Sequence, residues 1–221
     1  MTSKIYRNVQ SHEPGNTSYL TVLCPGCRQK GTFGPSPNVA DSTISFQNDQ
    51  RQMENAGAGT RICPNPACRT LVFVLYRARS VLASYPVARI DFDTTDVPAD
   101  VSRAFDEALA CHANECWMGA AMLIRKTIEE LCDDRGATGG RLIDRLRNLR
   151  IRVTLPEELF EAADHLRLLG NDAAHIEAKD YNQVSKDEVE AGVELAKELI
   201  KSVYQYKNLL GRLQALKKTT P

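Results

Sequence analysis

The sequence predicts an α+β protein in two parts, a small β module followed by an all-α bundle of five helices. Three observations predict it. Residues 1–84 hold two cysteine pairs, each set between β-prone stretches. Residues 85–97 are acidic and turn-prone, the composition of a linker. From residue 98 to 221, apolar residues recur at three- and four-residue spacing, the period of a helix face.

In the β module, the first cysteine pair lies in Tyr19-Leu-Thr-Val-Leu-Cys-Pro-Gly-Cys27, followed by Gly31-Thr-Phe33. The second lies in Thr60-Arg-Ile-Cys-Pro-Asn-Pro-Ala-Cys68, followed by Thr70-Leu-Val-Phe-Val-Leu-Tyr76. The two read as copies of one device, a strand entering a Pro-containing turn and a strand leaving it. A tight turn lets two thiolates converge on one ion, with backbone amides aimed at the sulfurs. Cys24, Cys27, Cys63 and Cys68 therefore read as the ligands of one structural zinc ion in a closed tetrahedral site, a zinc ribbon. The four residues between Cys63 and Cys68 remain within the usual spacing of such pairs. Four free thiols are the alternative. His12 stands apart and reads as a surface residue. Between the pairs, Gly34 to Thr60 is polar and reads as a long loop, with at most one strand at Thr43-Ile-Ser-Phe-Gln47. So small a module depends on its metal for folding energy.

The helical part opens after Pro98, a residue suited to a helix start. Val101, Phe105 and Leu109 mark the inner face of a first helix, Ala99 to His112. A second, Glu115 to Asp133, turns Met118, Ala121, Ile124, Ile128 and Leu131 to one side. Gly136 to Gly140 breaks the chain before a shorter helix with Leu142, Leu146 and Leu149. Pro156 starts a fourth, with Leu159, Ala163, Leu166 and Leu169 inward, which Gly170 ends. Ser185 and Glu188 stand in capping-box spacing at the start of a long fifth helix. Its Val189, Val193, Ala196, Ile200, Val203 and Leu210 make a seam suited to a bundle or a dimer face.

Composition narrows the class. Apolar residues at 43% and charged residues at 25% describe an ordinary soluble domain. With no long uncharged apolar run and no basic-then-apolar leader pattern, a cytoplasmic location is expected. No phosphate-cradling glycine loop of the P-loop type is present. The zero net charge hides a split: residues 1–80 carry nine Lys and Arg against four Asp and Glu, and the rest reverses the excess. A basic module can touch nucleic acid, although uneven solvation charge produces the same split. The arginines at 141, 145, 147, 150 and 152 read first as a solvated helix face. Cys111, Cys116 and Cys132, in helical sequence, read as small buried hydrophobes.

Two polar strings stand out in the helical part: Arg125-Lys-Thr-Ile-Glu129, and His165-Leu-Arg-Leu-Leu-Gly-Asn-Asp-Ala-Ala-His175. In the second, Gly170 ends a helix and Asn171 can cap the next, about one turn before His175. Together they resemble the helical family of domain of unknown function 4145, over roughly Val97 to Tyr206. That family resembles a branch of the HEPN superfamily (higher eukaryote and prokaryote nucleotide-binding domains), whose members are helical bundles and often homodimers. Many are metal-independent ribonucleases in bacterial conflict and phage defence. The resemblance implies RNA or another nucleic acid as partner and a catalytic group of Arg167, Asn171 and His175, supported by Arg125 and Glu129. The superfamily's catalytic arginine is usually followed by a polar residue, with four to six residues between it and the histidine. Here Leu168 follows Arg167, and seven residues precede His175. Each residue also has a plainer reading. His175 can bond across the bundle, Arg125 and Glu129 can form an i,i+4 ion pair, and Arg167 can pair with a carboxylate such as Glu129. If those hold, the chain is a non-catalytic adaptor that binds nucleic acid or a partner protein.

Overall fold

The computed structural model describes residues 7–14, 18–37, 39–48, 50–170 and 184–217, the side chains of 11–14, 164–170 and 217 excepted. The chain divides into two compact units, Met1–Asp91 and Phe92–Pro221.

The first unit is an antiparallel sheet of seven strands: β1 (Arg7–Pro14), β2 (Leu20–Leu23), β3 (Lys30–Pro35), β4 (Ser42–Gln47), β5 (Met53–Ile62), β6 (Leu71–Arg77) and β7 (Ser80–Tyr85). β4 to β7 pair in sequence order, and β1 adds to the free edge of β4. The β2–β3 hairpin joins through Gly34 and Pro35, which pair with Ile62 and Arg61 at the far end of β5. β6 is apolar over most of its length because it serves two faces. Val72, Val74 and Tyr76 point toward the β2–β3 hairpin and pack with Leu20, Val22 and Phe33. Leu75 points the other way and packs with Phe46 and Ala56.

The segment expected as a long loop is largely the β4–β5 hairpin. Asn48 shapes its turn, since its side-chain oxygen accepts from the amides of Gln50 (3.0 Å) and Gln52 (2.9 Å). Ala56-Gly57-Ala58-Gly59 is a poor strand sequence by propensity. Tertiary packing decides in its favour. The Tyr76 ring lies where a side chain at Gly57 would be, so glycine there admits the aromatic. Beside it, Asp41 and Arg61 form a fully buried ion pair joined by two hydrogen bonds, 2.8 and 2.6 Å, and the Tyr76 hydroxyl also donates to Asp41.

The second unit is helical: α1 (Ala99–Ala113), α2 (Trp117–Asp134), α3 (Leu142–Arg152), α4 (Glu157–Gly170), α5 (Lys186–Ile200) and α6 (Tyr206–Lys217). A π turn over Lys201–Gln205 joins α5 to α6, so the expected fifth helix is one rod with a π insertion. α1 and α2 form a hairpin, and α2 lies at the centre, packed on α1, α3, α4 and α5. Val101, Phe105, Leu109, Ala121, Ile124, Ile128 and Leu131 are buried along it, in the rhythm of the sequence. The Ser185 and Glu188 capping box closes as expected, with both reciprocal bonds made at 3.2 and 2.7 Å. Three expectations need correction. Met118 and Leu210 face outward, 52% and 56% exposed, and Cys116 is exposed at the N-cap of α2. The cause for Leu210 is the π turn, whose extra residue resets the phase of α6. No helix among the described residues is long and apolar enough to cross a membrane.

Candidate metal centre

The two cysteine pairs come from the β2–β3 connection and from the turn between β5 and β6. Pairing of β3 with β5 holds the two turns side by side, so that sulfurs far apart in sequence meet. In the first turn, the Arg28 amide bonds the Cys24 carbonyl (2.9 Å) and the Cys24 amide bonds the Gln29 carbonyl (3.0 Å). The second repeats the pattern: the Cys63 amide bonds the Thr70 carbonyl (2.9 Å), and those of Cys68 and Arg69 bond Asn65 (3.0 Å each). The arginine after each pair, Arg28 (φ 59°) and Arg69 (φ 51°), takes the left-handed conformation that lets the chain leave the turn. This repeated local geometry is the physical basis of the repeat in the sequence.

The four Sγ atoms all lie within 4.8 Å of one another. Cys24 to Cys68 is 3.6 Å and Cys27 to Cys63 is 3.8 Å. A tetrahedral site with metal–sulfur bonds near 2.3 Å has sulfur–sulfur edges of about 3.8 Å, so the group has the size such an ion requires. Cys24 and Cys63 are buried, and Cys27 and Cys68 partly so. The thiols differ in their surroundings. Burial pushes the Cys63 thiol up to about 12, against a smaller opposing effect of the Asn65 amide. Hydrogen bonds from the Thr70 hydroxyl, with Oγ1 3.0 Å from Cys68 Sγ, and from the Thr70 amide draw Cys68 down to about 6. Several thiolates so close and so poorly hydrated repel one another unless a positive ion compensates them. An ion held by all four side chains would have no position left for water or substrate, as in a structural site.

Thr70 is a supporting residue that sequence reasoning missed. A β-carbon at Gly26 would run into its hydroxyl, so Pro-Gly in the first turn leaves room for the group that bonds Cys68. The signal was present as a polar residue two positions after the last cysteine.

In the helical unit, Arg125 and Glu129 on α2 form the expected i,i+4 pair, Nε to Oε1 at 2.9 Å. Both side chains are mostly buried, 22% and 26% exposed, so the pair sits at the margin of the core. α2 packs against α4, whose backbone carries Arg167. The Arg167 side chain, Asn171 and His175 lie outside the described residues. The arginines of the α3 region have local partners: Arg141 and Arg147 meet Asp144, Arg145 meets Asp133, Arg150 meets Glu157, and Arg152 bonds Asn148. Local partners of this kind fit the expected solvated helix face. His112 is more embedded than a surface histidine, lying edge-on to Trp117 at 5.6 Å and 4.0 Å from Glu190.

A four-cysteine cluster of a size to hold a metal ion, on an antiparallel sheet followed by a helical bundle, defines the class of the protein as a two-unit chain with a candidate metal centre. The family model described as domain of unknown function 4145 matches residues 106–219, slightly over half of the chain, and the chain belongs to that family. The cysteine centre lies outside the matched segment. No curated protein and no solved structure matches the chain.

Proposed function

We propose that this is a nucleic-acid-associated protein whose cysteine centre holds a structural zinc ion and whose helical unit cleaves RNA without a catalytic metal. The observation that supports it is the partly exposed Arg125–Glu129 pair on α2. It is the polar part of the family's pattern, on the helix that packs against α4, the carrier of Arg167.

In this reading, His175 takes the proton from a ribose 2′-hydroxyl as its oxygen attacks the adjacent phosphorus. The bond to the 5′-oxygen breaks, a proton returns to that oxygen, and a 2′,3′-cyclic phosphate remains. Arg167 holds the non-bridging oxygens bidentately as charge develops, and Asn171 positions one of the two groups. Arg125 and Glu129 act behind them as positioning residues. Zinc contributes folding energy to the β unit and takes no part in the cleavage.

The second reading, an adaptor that binds nucleic acid or a partner protein without cleaving, is favoured by the same closed metal site and by the ion-paired arginines of α3. One pair of measurements separates the two. Wild-type protein and His175→Ala are incubated with total RNA in chelator and then melted. Cleavage by wild type alone, with nearly equal melting temperatures, supports the enzyme. No cleavage by wild type, with a clear stability loss in His175→Ala, supports the adaptor. A stable His175→Ala protein that still cleaves overturns both roles for this histidine. Elemental analysis should find about one zinc per chain, as one four-thiolate site demands. Less than half an equivalent in protein kept from chelators removes the zinc assignment.

A further inference from the structure

The corner between α1 and α2 brings two further cysteines together. The Cys116 amide bonds the Cys111 carbonyl (2.9 Å), and the Glu115 amide bonds the His112 carbonyl (3.0 Å). With Glu115 in the left-handed region (φ 58°), these are the two reversed bonds of a Schellman ending to α1. Cys111 and Cys116 occupy the two positions of that motif whose side chains meet. The 2.9 Å bond keeps their Cα atoms no further apart than about 6.8 Å, within the range a disulfide spans. Cys116 is also the N-cap of α2, and its carbonyl accepts the Ala120 amide (2.9 Å), so both helices fix the backbone of this corner. Apolar residues in contact are the usual occupants of the two positions. Cys116 serves poorly as one. It is exposed, and its Sγ lies 3.6 Å from the Asn114 carbonyl oxygen, a weak contact that a turn about χ1 gives up. Cys111 is partly buried beside Gly119, where a β-carbon would stand 3.4 Å from its Sγ.

We infer that Cys111 and Cys116 are a redox modification site, closing a reversible disulfide across the α1–α2 corner when the protein meets a peroxide. Cys116, the exposed sulfur, is the one a peroxide reaches first. Its thiolate attacks one peroxide oxygen, the O–O bond breaks, and the departing hydroxide takes up a proton as water, leaving a sulfenic acid on Cys116. The Cys111 sulfur then attacks the Cys116 sulfur. The S–O bond breaks, and the Cys111 thiol proton leaves with the hydroxide as a second water. The two thiols have given up two electrons and two protons, and hydrogen peroxide has been reduced to two waters. Burial, followed by the charges of Cys116 and Glu107, raises the Cys111 thiol above its ordinary value. Cys111 therefore resolves the sulfenic acid and does not start the reaction. The bond joins neighbours on one turn, so both helices keep their inner faces in place. It forms beside His112 and Trp117, which are in edge contact at 5.6 Å, and Trp117 is the chain's single tryptophan. Cys132 is fully buried, out of a peroxide's reach. The site stands independently of RNA cleavage.

Differential alkylation of the full chain tests it. The protein is treated with hydrogen peroxide in slight molar excess, alkylated with iodoacetamide and cut with trypsin, which leaves both cysteines on the peptide 104–125. From untreated protein this peptide should carry an alkyl group on each cysteine. From oxidised protein it should carry neither and be lighter than the free dithiol by two hydrogens, and dithiothreitol before alkylation should restore both groups. Trp117 fluorescence should fall on oxidation, because a disulfide quenches an adjacent indole, and should recover with the reductant. Cys111→Ser and Cys116→Ser should each lose that response, and Cys111→Ser should go on to sulfinic acid at Cys116 for want of a resolving thiol. The peptide map of wild type decides the matter even where a variant fails to fold. A peptide that keeps both alkyl groups overturns the proposal. So does wild type with sulfinic acid on Cys116 and an alkylated Cys111, or with Cys116 bonded to any sulfur other than that of Cys111.

Discussion

Asp41 and Arg61 are both fully buried within the sheet, an unusual place for charge. Burial by itself raises the Asp41 carboxyl, but hydrogen bonds from Arg61 and Tyr76 and the arginine charge more than offset it, and the group sits below its usual value. A carboxyl depressed in the folded state stabilises above its unfolded pKa, about 3.9, and that stability is lost as pH falls through the folded value. Asp41→Ala leaves the guanidinium buried without its carboxylate and should cost about 3–5 kcal/mol at neutral pH. Urea unfolding followed by tyrosine near-ultraviolet dichroism checks this, and a cost under about 1 kcal/mol would mean that water reaches the site. His112 titrates with the same sign in a different window. Burial lowers its pKa, opposed by the Glu190 charge, so the unfolded chain takes up a proton first. Stability of the helical unit should therefore fall as pH drops below about 6.5, until the folded-state value is reached. His112→Gln should flatten that slope in thermal melts followed by Trp117 fluorescence, and an unchanged slope would assign it to another group.

Each structural element carries one local device that a single substitution exposes. At the head of α5, the capping box satisfies two backbone donors reciprocally. Ser185→Ala removes one of them and should destabilise the helical unit by about 1 kcal/mol, measurable by urea unfolding. On β5, the device is an absence of side chain. Gly57→Ala places a methyl group inside the Tyr76 ring position, and moving the ring breaks its hydrogen bond to Asp41. The β unit should lose about 1–3 kcal/mol, and the loss should shrink in a Tyr76→Phe background, where that hydrogen bond is already gone. Equal losses in the two backgrounds would show that the ring and the carboxylate act independently.

The molecule as a whole is two cores with different sources of stability. The helical unit buries long apolar faces of α1, α2 and α5. The β unit spreads its apolar residues over two small clusters and gathers four cysteines beside one of them. Metal removal should consequently act on one unit alone. Chelation, or Cys24→Ser, should abolish the tyrosine dichroism of the β unit while helical ellipticity and Trp117 fluorescence, both from the helical unit, persist. Simultaneous loss of all three signals would show that the units fold as one.

The sequence by itself determined what depends on short spacing and on period. The cysteine pairs, the capping box, the Arg125–Glu129 pair and the inner faces of α1 and α2 are all local, since residues within a few positions on a turn or helix meet whatever the rest of the chain does. Only tertiary structure decided the β4–β5 hairpin. Its Ala-Gly-Ala-Gly run is a strand because Tyr76 from β6 and Asp41 from the segment before β4 fill the space its missing side chains leave, the latter held there by Arg61. The outward turn of Leu210 belongs with it, set by a π insertion that no apolar rhythm announces. So does Thr70, whose hydroxyl reaches Cys68 across the space that Gly26 leaves open in the opposite turn. Contacts between residues distant in sequence depend on how strands are paired, and strand pairing is a property of the assembled sheet rather than of any one segment.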